Sequence, residues 1–227
     1  MPDVPIYVAE PEGPPPGGVI VIQEAFGVTD HIRSVTDRVA AAGYLACAPA
    51  LFHRVSSPPP EIEYDISKVM PVMGTLNAGE ILADVDAAVD LLGARGIDRE
   101  HCGIVGFCMG GTVALAVGAN RALGAAVSFY GGGVAQGRFG FPSLIELAPS
   151  LQTPWLGLYG DEDTGIPVEQ VEELRTAAAK ASVPTELVRY AGAQHAFHND
   201  ERRDVYDESA AADAWSRTLA FFAEHLG

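Results

Sequence analysis

The sequence predicts an α/β fold in which a mostly parallel central sheet carries helices on both faces. Short apolar runs recur along the chain, and segments of helical length and period separate most of them. An apolar content of 48% against 19% charged residues supplies the core such a sheet needs. Runs that are apolar throughout, rather than strictly alternating, are what strands covered on both faces require.

Seven runs read as strands: Pro5–Val8, Val19–Ile22, Leu45–Ala48, Gly103–Val105, Ala125–Phe129, Trp155–Leu158 and Glu186–Tyr190, mostly bounded by Gly or Pro. The stretch from Pro14 to Gly18 reads as a turn between the first two. Helical spacing appears at Ile32, Val35 and Val39, at Ile81, Val85, Val89 and Leu92, and at Val171, Leu174 and Ala178. A closing amphipathic helix is expected from Ser209 to Leu226, with Ala212, Trp215, Leu219 and Phe222 on its buried face. From Phe52 to Gly79 the rhythm breaks, with a run of prolines after Ser56-Ser57 and a Met70, Met73, Gly74 cluster. This stretch is expected to be an irregular excursion that roofs a pocket. Without internal repeat or linker, residues 1–227 are expected to form a single domain.

The formal charge of −16 leaves no basic field for phosphate backbones or anionic lipid, so neither nucleic acid nor membrane is expected as a partner. The N-terminus has no basic and apolar leader pattern, and no apolar run approaches the roughly 20 residues of a membrane span, which points to a cytoplasmic protein. Three cysteines form neither a Cys-x-x-Cys pair nor a dense framework. Cys47 and Cys102 fall at apolar strands and read as small core residues. No metal and no cofactor is expected. His195-x-x-His198 is not a metal site by this reading, because it lacks the helix that would align two histidines and a third ligand.

Chemistry concentrates at Gly103-Ile-Val-Gly106-Phe107-Cys108-Met109-Gly110-Gly111, an apolar strand, a Gly-x-Cys-x-Gly turn and a helical start. This is the nucleophile elbow of the α/β-hydrolase fold with Cys in place of Ser. A side chain on so tight a strand-to-helix turn needs neighbours without Cβ atoms, which Gly106 and Gly110 supply. At the start of a helix the thiol meets unpaired N–H groups that favour a thiolate. The fold then predicts an acid and a histidine in that chain order, each after a later strand. Asp161 and Asp163 compete for the acid, and His195 is the histidine. The oxyanion donors of the fold would be the backbone N–H groups of Met109 and Ala25. Phe26, Tyr130 and Phe197 follow strands at this edge and are expected either to line the pocket or to pack in the core; His53 lies similarly, with weaker support.

Four segments resemble the dienelactone hydrolase family: Val21-Ile22-Gln23-Glu24-Ala25-Phe26-Gly27, the Cys108 elbow, Gly160-x-x-Asp163-x-x-Ile166-Pro167, and His195-Ala196-Phe197 followed by Tyr206 and the closing helix. The resemblance covers nearly the whole chain. It implies a hydrolase of small esters or lactones with a Cys108, His195 and Asp163 triad in which Asp163 is chosen over Asp161; a monomer or small homo-oligomer is expected. It further implies that Glu24 hydrogen-bonds the thiol and takes its proton when substrate enters. Members of the family are expected to clamp a substrate carboxylate with arginines, one of them four residues past the histidine; here that residue is Asn199. Arg203 and Arg202, with Lys68 and Arg54 from the excursion, are the remaining cations that could meet an anionic substrate. Two other readings compete: an idle small-molecule binding module on the same fold, and a peroxide-sensing thiol, which lacks a resolving cysteine at a persuasive spacing.

Overall fold

The protein is described here by a computed structural model covering residues 4–56 and 59–227, the side chain of Ile66 aside. Met1–Asp3 of the N-terminus, and Ser57 and Pro58 of the proline-rich run, lie outside the described residues.

All seven predicted strands form, and they join one sheet: β1 (Ile6–Ala9), β2 (Gly18–Ile22), β3 (Leu45–Pro49), β4 (Cys102–Phe107), β5 (Ala125–Phe129), β6 (Trp155–Gly160) and β7 (Thr185–Tyr190). Their order is β1-β3-β2-β4-β5-β6-β7. Only β1 runs antiparallel, pairing Ile6 with Pro49 and Ala9 with Ala46 at the edge. From β2 the chain steps outward to β3 and then returns to β4 on the other side. The order therefore reverses between β2 and β4, and the crevice beyond the carboxyl ends of those two strands is where an open α/β sheet binds its ligand.

The period of two along each strand divides the core. Val19 and Val21 of β2, with Val105, Phe107, Val127 and Phe129, face α1 (Asp30–Ala41) and α7 (Glu208–Leu226). Ile20, Ile22, Ile104 and Ala126 face the opposite layer of α3 (Ala78–Ala94), α4 (Met109–Asn120), α5 (Leu144–Leu147) and α6 (Val168–Ala178). The predicted stripes of α1, α3 and α6 are buried, as with Ile32, Val35 and Val39 at 0% exposure. Several helices start behind a side-chain cap: Asn77 accepts from Glu80 N–H, Asp207 from Ala210 N–H, and Ser143 with Glu146 forms a reciprocal capping box.

Two expectations need correction. The excursion is not irregular throughout, because α2 (Ile66–Met73) forms inside it behind an Asp65 cap, with Pro71 in its second half. An N-cap aspartate followed by apolar residues was the available signal, and the proline obscured it. In α7 the buried face is Ala211, Ala214, Thr218 and Phe222, rotated one residue from the expected stripe. Ala212 is exposed, while Trp215 and Leu219 sit at the rim of that face. Thr218 can be buried because its hydroxyl donates to the Ala214 carbonyl at 2.8 Å.

Candidate active site

Cys108 joins β4 to α4 at φ 56° and ψ −112°, a left-handed conformation that costs a non-glycine residue strain. The elbow is pinned on both sides: Cys108 N–H donates to the Phe129 carbonyl at 3.1 Å, and the Cys108 carbonyl accepts from Gly111 N–H at 3.0 Å. A Cβ on Gly106 would lie 1.9 Å from the Gly110 carbonyl oxygen, and one on Gly110 would lie 2.4 Å from that of Ile22. Both glycines are therefore required by backbone approach. The same contact seats the end of β2 against the first turn of α4. Of the three free thiols, Cys108 alone is partly exposed. Burial, aided by the neighbouring Cys102, pushes the Cys47 thiol up to about 12, and burial pushes Cys102 up to about 11.

His195 follows β7 in a loop whose next residue, Ala196, takes φ 65°. His195 Nδ1 donates to Asp163 Oδ2 at 2.6 Å, and Asp163 Oδ1 accepts from Gly165 N–H at 2.9 Å. The carboxylate is buried at 4% exposure. Asp161, its rival in sequence, instead holds Arg189 bidentately at 2.7 and 2.9 Å. For His195, burial disfavours the cation, but the adjoining Cys108 charge and the Asp163 hydrogen bond outweigh it and raise the imidazole to about 10. The edge of Tyr130, buried at φ 39°, meets the His195 ring with centroids 5.1 Å apart.

Glu24 sits just past β2 and is 2% exposed. Its turn is closed by Gly27 N–H on the Glu24 carbonyl at 3.4 Å, and Gln23 braces it by accepting from Leu51 N–H at 3.0 Å. Asn199 Nδ2 donates to Glu24 Oε2 at 2.7 Å. Asn199, a departure from the expected arginine, is thus a fully buried donor to Glu24.

Met109 opens α4, and Ala25 follows Glu24 just past β2. Phe26 is buried against the Tyr64 ring, 4.7 Å between centroids. Phe197 is core, packed on Phe129, Tyr130 and Tyr190 at 0% exposure. Of the two readings open for it, pocket lining or core, the buried ring fits the core. Arg203 lies at the exposed surface, and it is Arg202 whose guanidinium stands over Tyr64, 5.8 Å from the ring centroid. Arg54 is committed to buried Asp84 at 2.7 Å, where His53 also bonds at 3.3 Å, and Lys68 pairs with Glu63. His198 stacks on Phe107 at 5.2 Å, and burial, with Arg38 and His31 nearby, holds it well below the ordinary imidazole range. Tyr64 is the residue at this site that the sequence reading missed, and no local signal in a proline-rich excursion marks it.

A cavity of about 230 Å³ lies on the β1 and β3 side of the Glu24 turn, lined by Tyr7, Gln23, Val28, Phe52 and Pro60 among others. Its lining does not include Cys108, His195 or Asp163.

A family model described as the dienelactone hydrolase family matches residues 4–226. The chain belongs to that family. A Salmonella typhimurium (strain LT2) protein provisionally named carboxymethylenebutenolidase is 39% identical over 99% of this chain and 84% of its own length. A provisionally named carboxymethylenebutenolidase of Methylorubrum extorquens is 36% identical over 98% of the chain and 77% of its own length. Among solved structures, a Klebsiella pneumoniae protein provisionally described as a dienelactone hydrolase superposes with a TM-score of 0.88 at 36% identity, covering 97% of this chain and 93% of that one. Membership of the dienelactone hydrolase family places the chain among hydrolases of the ester and lactone class, with small-molecule substrates. No helix among the described residues is long and apolar enough to cross a membrane.

Proposed function

We propose that the protein hydrolyses small esters or lactones through a thioester on Cys108. The observation that carries this reading is the Asp163-bound imidazole of His195, raised by the charge of Cys108 at a strained elbow. The Cys108 sulfur, as thiolate, attacks the substrate carbonyl carbon, and the oxyanion is held by the Met109 and Ala25 amides. As the C–O bond breaks, His195 gives its proton to the leaving oxygen, which departs as an alcohol or stays tethered if the substrate is a lactone. Water then attacks the thioester, gives a proton to His195, and the acid leaves as Cys108 regains its electron pair. Asp163 keeps the ring in one orientation throughout. Glu24 serves as the thiol's first proton acceptor when substrate displaces it from Asn199, and it returns that proton to Cys108 once the acid product has left.

Asn199 stands where the resemblance implies an arginine, Arg54 and Lys68 are engaged elsewhere, Arg203 is exposed, and Arg202 stands over Tyr64 and pairs with Asp204 at 3.6 Å. We therefore assign neutral acyl groups, rather than a carboxylate-bearing dienelactone, as the preferred class. The test compares p-nitrophenyl acetate and small neutral lactones with carboxylated lactones, using wild type and Cys108→Ala. Cys108-dependent turnover of the neutral substrates is expected, together with iodoacetamide labelling of one native thiol that the variant loses. Turnover surviving in Cys108→Ala would refute the mechanism, and saturable lactone binding without turnover would favour the idle binding module.

A further inference from the structure

Segment 59–65 of the excursion lies across the Glu24 turn. A Cβ on Gly27 would come within 2.5 Å of the Pro60 carbonyl oxygen, Ile62 N–H donates to the Phe26 carbonyl at 2.8 Å, and Tyr64 packs edge-on against Phe26. Tyr64 also reaches the loop after His195. Its hydroxyl donates to Glu201 Oε2 at 2.7 Å, and its oxygen accepts from Asn199 Nδ2 at 3.4 Å.

The bonds have a direction. A tyrosine hydroxyl has one proton, and here it is committed to Glu201, so the oxygen can only accept from Asn199. The two hydrogens of the Asn199 amide are then divided between Glu24 at 2.7 Å and Tyr64 at 3.4 Å. The Asn199 oxygen is held at the far side by Glu201 N–H at 3.1 Å. A rotated amide would turn its oxygen toward the buried Glu24 carboxylate, where the repulsion is strong, and toward the oxygen of half-exposed Tyr64. Burial, opposed by the Asn199 bond and reinforced by Glu201, pushes the Tyr64 hydroxyl up to about 12, so it keeps its proton across neutral pH.

We propose that Tyr64 is a positioning residue: its hydroxyl, anchored on Glu201, orients the Asn199 amide so that its N–H stays on Glu24. By this route the excursion sets the state of the residue next to the reacting thiol without touching substrate. The proposal rests on the reading of Cys108 and Glu24 given above.

The test is a double-mutant cycle on the protein with Tyr64→Phe, Asn199→Ala and the pair. Phenylalanine keeps the ring on Phe26 and beneath Arg202, so only the hydroxyl is lost. Removing one neutral hydrogen bond predicts that kcat falls about three- to tenfold with KM unchanged within about twofold. In the Asn199→Ala background the same change should alter kcat by less than about 1.5-fold, because the hydroxyl then has no amide to orient. Additive effects, a kcat unmoved by Tyr64→Phe, or a change confined to KM would overturn the proposal. If wild type shows no Cys108-dependent turnover, the ester-hydrolase reading fails separately. The cycle is then read on the alkylation rate of Cys108 by iodoacetamide, where a change in Tyr64→Phe that vanishes in the Asn199→Ala background supports the proposal and additivity overturns it.

Discussion

Asn199 Nδ2 donates to Glu24 Oε2 across 2.7 Å, joining two buried residues 175 positions apart in the chain. A buried carboxylate with its donor removed keeps its desolvation cost and loses the bond that offset it. Asn199→Ala should therefore destabilise the fold by about 1.5–3 kcal/mol, the range for hydrogen bonds to charged groups, as read by urea unfolding. Asn199→Asp should cost more, because it sets a second carboxylate against the first.

Asp163 and Asp161 stand two residues apart with different partners, so their amide variants should separate. Asp163→Asn leaves His195 without its carboxylate and should lower kcat by about 10²–10⁴-fold. Asp161→Asn weakens only the Arg189 ion pair and should leave kcat within about twofold, since such surface pairs contribute roughly 0–1 kcal/mol. Steady-state kinetics on one ester substrate decides both.

The His195 imidazole is raised from 6.5 to about 10, so the folded state binds its proton more tightly than the unfolded chain does. Its contribution to stability is fully present below about 6.5 and is lost as pH rises through about 10. Wild type should lose stability relative to His195→Gln over that window. In two-dimensional NMR the His195 ring should titrate near the upper end, and Cys108→Ser should move its midpoint down, because the Cys108 charge is the largest influence raising it.

Gly106→Ala and Gly93→Ala should move stability in opposite directions. A Cβ at 106 would meet the Gly110 carbonyl oxygen at 1.9 Å and backbone must shift, a change expected to cost more than about 4 kcal/mol or prevent folding. At Gly93, in the last turns of α3, a Cβ meets nothing within 4 Å. There alanine should stabilise by about 0.5–1 kcal/mol, its helix-propensity advantage. Thermal melts of the two variants test the contrast.

Much of this architecture is legible locally. Apolar runs such as Val19–Ile22 and Ala125–Phe129 became strands because a short apolar segment between Gly or Pro residues has few other ways to bury itself. The periodic stripes of α1, α3 and α6 became helices packed through those residues. The Gly-x-Cys-x-Gly turn is equally local, since its glycines answer to backbone clashes within a few residues. Legibility failed where local cues conflicted, as in α2, whose Asp65 cap points to a helix and whose Pro71 points away from one. It also failed where a helix face is set by its neighbours, as in α7, which presents Ala214 and Thr218 to the sheet in place of Trp215 and Leu219.

The sequence by itself determined the order of the seven strands and of α1, α3, α6 and α7 among them, and the elbow at Cys108, and it placed an acid and His195 after later strands. The family resemblance singled out Asp163, and the tertiary structure sets it on the imidazole; tertiary structure alone decided that Asp161 turns to Arg189, that Phe197 is core, that Asn199 donates to Glu24 and that Tyr64 meets Asn199. The physical reason is range. Periodicity, capping and turn sterics act within a few residues, whereas a hydrogen bond between side chains more than a hundred positions apart exists only after packing has set both backbones and excluded the water that would otherwise satisfy them.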